Sequence, residues 1–156
     1  MVIGEAPGEK EDETGEPFVG KAGEMLDKML ENVLGLSRRN VYVTNAVKCR
    51  PPENRNPEPE EVEACIQFTK WQKEAVKPKA VVIFGRVAME AIFGLSGGVR
   101  ANRTKWIDWD GTPTMITYHP AYLLRNPDDK RKALEDLKLV DGLLKQDRAA
   151  ENQAKE

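Results

Sequence analysis

Ala80-Val81-Val82-Ile83-Phe84-Gly85-Arg86-Val87-Ala88-Met89-Glu90-Ala91-Ile92-Phe93-Gly94 places an unbroken apolar run ahead of one glycine and a mixed segment ahead of another. Successive side chains of a strand point to opposite faces of a sheet, so a run that is apolar throughout suits a strand covered on both sides. The segment from Arg86 to Phe93 suits a short helix stopped by Gly94. Working outward, similar short runs rich in Val, Ile, Thr and aromatics occur at residues 1–3, 41–47 and 114–118.

Helical patterns lie between these strands. Ala22, Met25, Leu26, Met29, Leu30 and Val33 recur at three- and four-residue steps and end at Gly35. Residues 57–76 begin with Pro59, Glu60 and Glu61, which favour a helix N-terminus, and Pro78 forbids continuation. A last helix is predicted from Asp129 to Gln146, with Ala133, Leu134, Leu137, Val140 and Leu144 on one side. Trp106 and Trp109 fall in a hairpin-like insert, and residues 148–156 read as a polar, frayed tail. Alternating strands and helices predict one α/β domain over residues 1–147. Its expected form is a three-layer α/β/α sandwich around a central four-stranded parallel sheet.

With 156 residues the chain suits a single domain. Lys and Arg total 24 against 26 Asp and Glu, a net charge of −2, which excludes a globally basic nucleic-acid binder. Contact with nucleic acid must come from a local patch. No apolar run approaches the ~20 residues of a membrane helix, so no membrane partner is expected. Two cysteines make no disulfide framework, which points to an intracellular, cytoplasmic protein. Met1-Val2-Ile3 runs straight into Gly4-Glu5-Ala6-Pro7-Gly8 without the pattern of a signal peptide. A strand beginning at residue 1 reads as a chain clipped in front of it.

Ligands of open parallel sheets sit beyond the carboxyl ends of the strands. There the sequence places Gly4-Glu5-Ala6-Pro7-Gly8, then Thr44-Asn45 with Lys48-Cys49-Arg50 and Arg55, then Gly85-Arg86, and finally His119-Pro120 with Leu123-Leu124-Arg125. Each residue has a plain structural role available: His119 as a cap, Phe18 as a core plug, Asn45 in a turn, the cations as a solvated face. Their gathering at four successive strand ends argues for a site. Asn can read an amide-like base edge through one acceptor and one donor. Phe offers a stacking face for an unstacked base. His can donate to an oxygen that gains negative charge. Lys48, Arg50, Arg55 and Arg125 can hold phosphates while total charge stays near zero. There is no Ser–His–Asp set, no HExxH and no Walker A lysine.

Three stretches carry a resemblance. Gly4-Glu5-Ala6-Pro7-Gly8, followed by Glu11-Asp12 and Gly15-Glu16-Pro17-Phe18-Val19-Gly20, resembles the first signature of family 4 uracil-DNA glycosylases. Val41-Tyr42-Val43-Thr44-Asn45-Ala46-Val47-Lys48-Cys49-Arg50-Pro51-Pro52 is similar to that family's second block, and His119-Pro120-Ala121-Tyr122-Leu123-Leu124-Arg125-Asn126-Pro127 to its closing motif. The resemblance implies a monomeric repair hydrolase acting on uracil-containing DNA, which flips the base into a pocket. It implies that Glu5 and the backbone of Ala6 place the attacking water, with Glu11 assisting. Phe18 would stack on uracil, Asn45 read its N3 and O4 edge, and His119 support O2. Leu123 and Leu124 would wedge into the duplex, with Arg125 on phosphate.

The family also carries a [4Fe–4S] cluster on four cysteines. By resemblance Cys49 and Cys65 are half of that site, and the first pair, expected in an N-terminal arm, is absent. Two thiolates cannot hold a four-iron cluster alone. Two other functions fit less of the chain: a non-catalytic module that binds uracil or damaged DNA, and a generic nucleotide-binding α/β domain.

Overall fold

The computed structural model describes residues 1–156. Five strands form one sheet: β1 (Val2–Gly4), β2 (Val43–Asn45), β3 (Val81–Phe84), β4 (Ile107–Trp109) and β5 (Thr112–Thr117). Their order is β2-β1-β3-β5-β4. β1 runs parallel to β2 and β3, and β3 parallel to β5. The register pairs Gly4 with Asn45 and Phe84 with Thr117, so four strands finish at one level. Whatever follows them shares a rim.

The sheet has five strands rather than the four expected. The insert with Trp109 supplies β4, antiparallel to β5 through Ile107↔Thr114 and Trp109↔Thr112. Asp110 (φ 47°) and Gly111 (φ 85°) make the two-residue turn between them. Asp-Gly at that position is a strong local hairpin signal. Four strands are parallel and one edge strand is not.

The helices are α1 (Glu9–Thr14), α2 (Gly20–Met29), α3 (Pro59–Val76), α4 (Arg86–Phe93), α5 (Gly98–Asn102), α6 (Pro120–Arg125) and α7 (Lys130–Gln153). A π-helical turn, Leu30–Leu34, carries α2 on to Gly35. Apolar side chains cover both faces of the sheet, as the unbroken runs required. Ile3, Val81, Ile83 and Ile116 pack with Ala88 and Met89 of α4. Val2, Val82, Phe84 and Met115 pack with Leu26, Leu30, Leu137 and Val140.

α7 continues to Gln153, so most of the segment read as a frayed tail is helical. The Lys79 ammonium pairs with Asp147 at 2.7 Å and with Glu151, one turn further on, which holds the extension against the body. No helix is long and apolar enough to cross a membrane.

α7 is also fixed to the rim. The fully buried Asp136 carboxylate accepts from Thr117 Oγ1 at 2.7 Å and from Arg103 Nε at 3.1 Å. Burial raises its pKa, while the hydroxyl and the guanidinium oppose the rise. Thr117 is the last residue of β5, two before His119.

Candidate active site

Gly4 ends β1 where the rim begins. A methyl group at this position would collide with both the Phe18 ring and Asn45 Oδ1. Glycine here is the condition for bringing an aromatic face and a carboxamide together. Asn45 is 6% exposed, and its side chain makes no hydrogen bond within the chain. The carboxamide lines a cavity of about 360 Å³, so its oxygen and nitrogen are free to bond a polar ligand.

Phe18 sits in the connection between α1 and α2 with φ 52°, a left-handed conformation unusual for a bulky residue. The guanidinium of Arg38 holds that conformation in place. It donates to Pro17 O at 2.7 Å, to Phe18 O and to Gly23 O at 3.4 Å, and pairs with Asp27 at 2.5 Å. The Phe18 ring packs edge-on to Phe84 at 6.3 Å. Against His119 it lies nearly parallel, with centroids 5.3 Å apart and planes 20° from each other.

His119 is the N-cap of α6, and its Nδ1 accepts the Ala121 N–H at 3.0 Å. The neutral ring therefore carries its proton on Nε2, which is left as a donor. Burial, reinforced by the nearby Arg125 charge, pushes its pKa down to about 4. The plain role and the chemical role coincide: capping fixes the tautomer.

Glu5 follows β1. Its Oε2 accepts the Val87 N–H at 3.0 Å, the first turn of α4. Oε1 lies over Gly85, whose φ of 98° and missing Cβ give it room. Burial raises the Glu5 pKa, while the Val87 amide, Arg86 and Arg125 favour the anion. Ala6, next along, is half-buried. Glu11 is occupied in joining two loops: Oε2 accepts from Gly8 N at 3.1 Å and Oε1 from Val19 N at 3.2 Å. It supports the Phe18 segment and also lines the cavity that reaches Asn45.

The expected phosphate-binding residues separate. Arg125 is exposed and pairs with no carboxylate. It lines a cavity of about 450 Å³ that also reaches Glu5, His119, Arg86, Arg100 and Lys132. Arg55 is committed to Glu61 at 2.6 Å, and Arg50 donates to Asn54 Oδ1 at 2.7 Å. Lys48 turns inward to acceptors on β2 and α3, and burial lowers its pKa to about 8. Leu123 cannot be part of a wedge: it is 1% exposed and belongs to the core, because α6 is a helix with one face against the body. Leu124, 42% exposed, is free.

Cys49 is exposed and Cys65 half-buried, and the Lys48 amide donates to Cys65 Sγ at 3.5 Å. They offer two thiols, and no three His, Cys, Asp or Glu side chains come together as a metal-holding group. Four-iron clusters take four thiolates, so these residues do not fit the group on their own.

Residues 1–138 match the family model described as the uracil DNA glycosylase superfamily. This chain belongs to that superfamily. The matched span contains all five strands and every site residue named above. Among relatives, a type-4 uracil-DNA glycosylase of Sulfurisphaera tokodaii is 42% identical over 148 residues, covering 90% of this chain and 67% of its own. That of Thermotoga maritima is 42% identical over 151 residues, 94% of this chain and 78% of its own. That of Archaeoglobus fulgidus is 42% identical over 148 residues, 90% and 74% respectively. Within this superfamily fold, sequence reasoning passed over Arg38 and Gln72. No local pattern marks either, because both act on residues far away in the chain.

Proposed function

We propose that this chain is a uracil-DNA glycosylase that opens base-excision repair by hydrolysing the N-glycosidic bond of a flipped-out uracil. The observation that carries this is an aromatic face (Phe18) that meets an unpartnered carboxamide (Asn45) across Gly4 and lies against an Nε2–H donor (His119). His119 Nε2–H points along the imidazole plane, and a base that accepts it at O2 can lie coplanar with that ring. That plane is 20° from the Phe18 ring, so the same base lies almost parallel to it.

Asn45 then reads the remaining edge. Its Oδ1 accepts from uracil N3–H and its Nδ2 donates to O4. Cytosine presents an acceptor at N3 and a donor at C4, which reverses both contacts. Each buried polar atom left unpaired costs roughly 1–3 kcal/mol. Water attacks C1′ of the sugar as the C1′–N1 bond breaks, and the bonding pair leaves with uracil. His119 stabilises the anion through O2. Glu5 orients the water through the carboxylate oxygen not held by Val87 and accepts its proton. Leu124 and Arg125, side by side on α6, enter the duplex and grip phosphate.

The direct test is incubation with a uracil-containing oligonucleotide followed by alkali. Strand cleavage at the uracil is expected. Binding without cleavage overturns the proposal in favour of a non-catalytic module.

A further inference from the structure

β2 is an edge strand, with β1 on one side and no strand on the other. Tyr42 and Ala46 turn their backbone groups towards β1, through Val2 N to Tyr42 O at 2.8 Å and Ala46 N to Gly4 O at 2.9 Å. Alternation along a strand therefore turns the Asn45 carbonyl to the open edge. A carbonyl at a free edge has nothing in the sheet to fix it. Here the Lys48 ammonium takes the place of a neighbouring strand. It donates to Asn45 O at 2.5 Å, Gln72 Oε1 at 2.6 Å and Thr44 Oγ1 at 3.0 Å. An ammonium has three donors, and all three are used, which leaves none for phosphate.

α3 anchors this arrangement with a row of polar groups. Cys65, Thr69 and Gln72 are spaced i, i+4, i+7, which places them on one helix face. Cys65 Sγ accepts the Lys48 amide, Thr69 Oγ1 donates to Ala46 O at 3.3 Å, and Gln72 holds the Lys48 side chain. Both ends of Lys48 are thus tied to the same helix.

We infer that Lys48 is a positioning residue for base recognition, aiming the Asn45 carboxamide by fixing its peptide, and is not a DNA contact. The inference rests on Asn45 being the group that reads uracil. Its test uses Lys48→Met and Gln72→Leu in the full chain, with two readouts beside wild type. The first is the single-turnover rate of uracil release, with the uracil-to-cytosine rate ratio. The second is affinity for abasic-site duplex DNA across a range of salt concentrations. Both variants should lose rate by about 10²-fold, the scale of a 1 Å misplacement, and narrow the ratio. Their salt slopes should match wild type. A Lys48→Met slope shallower by about 0.9, the loss of one phosphate contact, overturns the inference, as does an unchanged rate and ratio in either folded variant. Gln72→Leu keeps the test open if Lys48→Met fails to fold, and melting curves report which has occurred. Wild type that releases no uracil refutes the proposed function itself and is seen in the same assay.

Discussion

The rings of Phe18 and His119 lie 20° from parallel with centroids 5.3 Å apart, so a flat ligand coplanar with the imidazole would lie nearly parallel to the Phe18 face. Phe18 is the weaker partner to test by deletion, since it is also buried and an alanine would leave a cavity. Phe18→Leu keeps most of the volume and removes the flat face. The loss of stacking, roughly 1–3 kcal/mol per base, should raise KM for a uracil oligonucleotide by about 5- to 150-fold. Steady-state kinetics with a melting curve separate this from unfolding.

Asn45→Asp replaces the Nδ2 donor with a second acceptor at nearly constant shape. Uracil then loses its O4 contact, while the cytosine amine gains a partner. Activity on uracil should fall by about tenfold or more, the size of one lost hydrogen bond to a buried group. The uracil-to-cytosine ratio should narrow as well. Parallel single-turnover assays on the two oligonucleotides measure both, and an unchanged ratio removes Asn45 from the reading role.

Acid should destabilise the fold through His119. Its folded pKa is about 4 against an ordinary value of 6.5. Between these values the unfolded chain binds a proton that the folded chain refuses, so unfolding gains as pH falls. The stabilisation is complete above about pH 6.5 and is lost on the way down to about 4. The full separation corresponds to about 3 kcal/mol, an upper bound for a half-buried ring. Tm measured from pH 7 to 4 should drop, and His119→Gln should show a shallower drop across the same window.

Leu123 and Leu124 are neighbours with opposite expectations. Leu123→Ala should cost about 2–5 kcal/mol of stability, as for a buried leucine in a packed core. Leu124→Ala should leave stability within about 0.5 kcal/mol. It should slow uracil release from duplex DNA more than from single strands, where no partner base has to be displaced. Denaturant melts and paired substrates distinguish the two, and equal rates on both substrates would remove Leu124 from the wedge.

What could be read in the sequence was whatever depends on strand ends. Gly4, Glu5, Asn45 and His119 are legible as strand-end residues because parallel strands of similar length must finish on one rim. The fifth strand is less legible because Trp109 falls in a short hairpin-like insert, although Asp110-Gly111 after it encodes the turn. The direction of long side chains was not legible. Lys48 has a flexible stem, and the acceptors that draw it inward include Gln72, 24 residues away. Leu123 and Leu124 are chemically identical, and only the helical geometry of α6 sorts one inward and the other outward.

Arg38 makes one further property measurable. By bonding the Pro17, Phe18 and Gly23 carbonyls and the Asp27 carboxylate, it joins the stacking loop to the start of α2 through a residue beyond that helix. Segments linked this way open together rather than one by one. The amides of residues 18–27 should exchange hydrogen for deuterium as a single cooperative group, and Arg38→Met should release Phe18 and Val19 into fast exchange. Ordering that loop costs nothing further when a base arrives, so binding should leave its exchange rates almost unchanged.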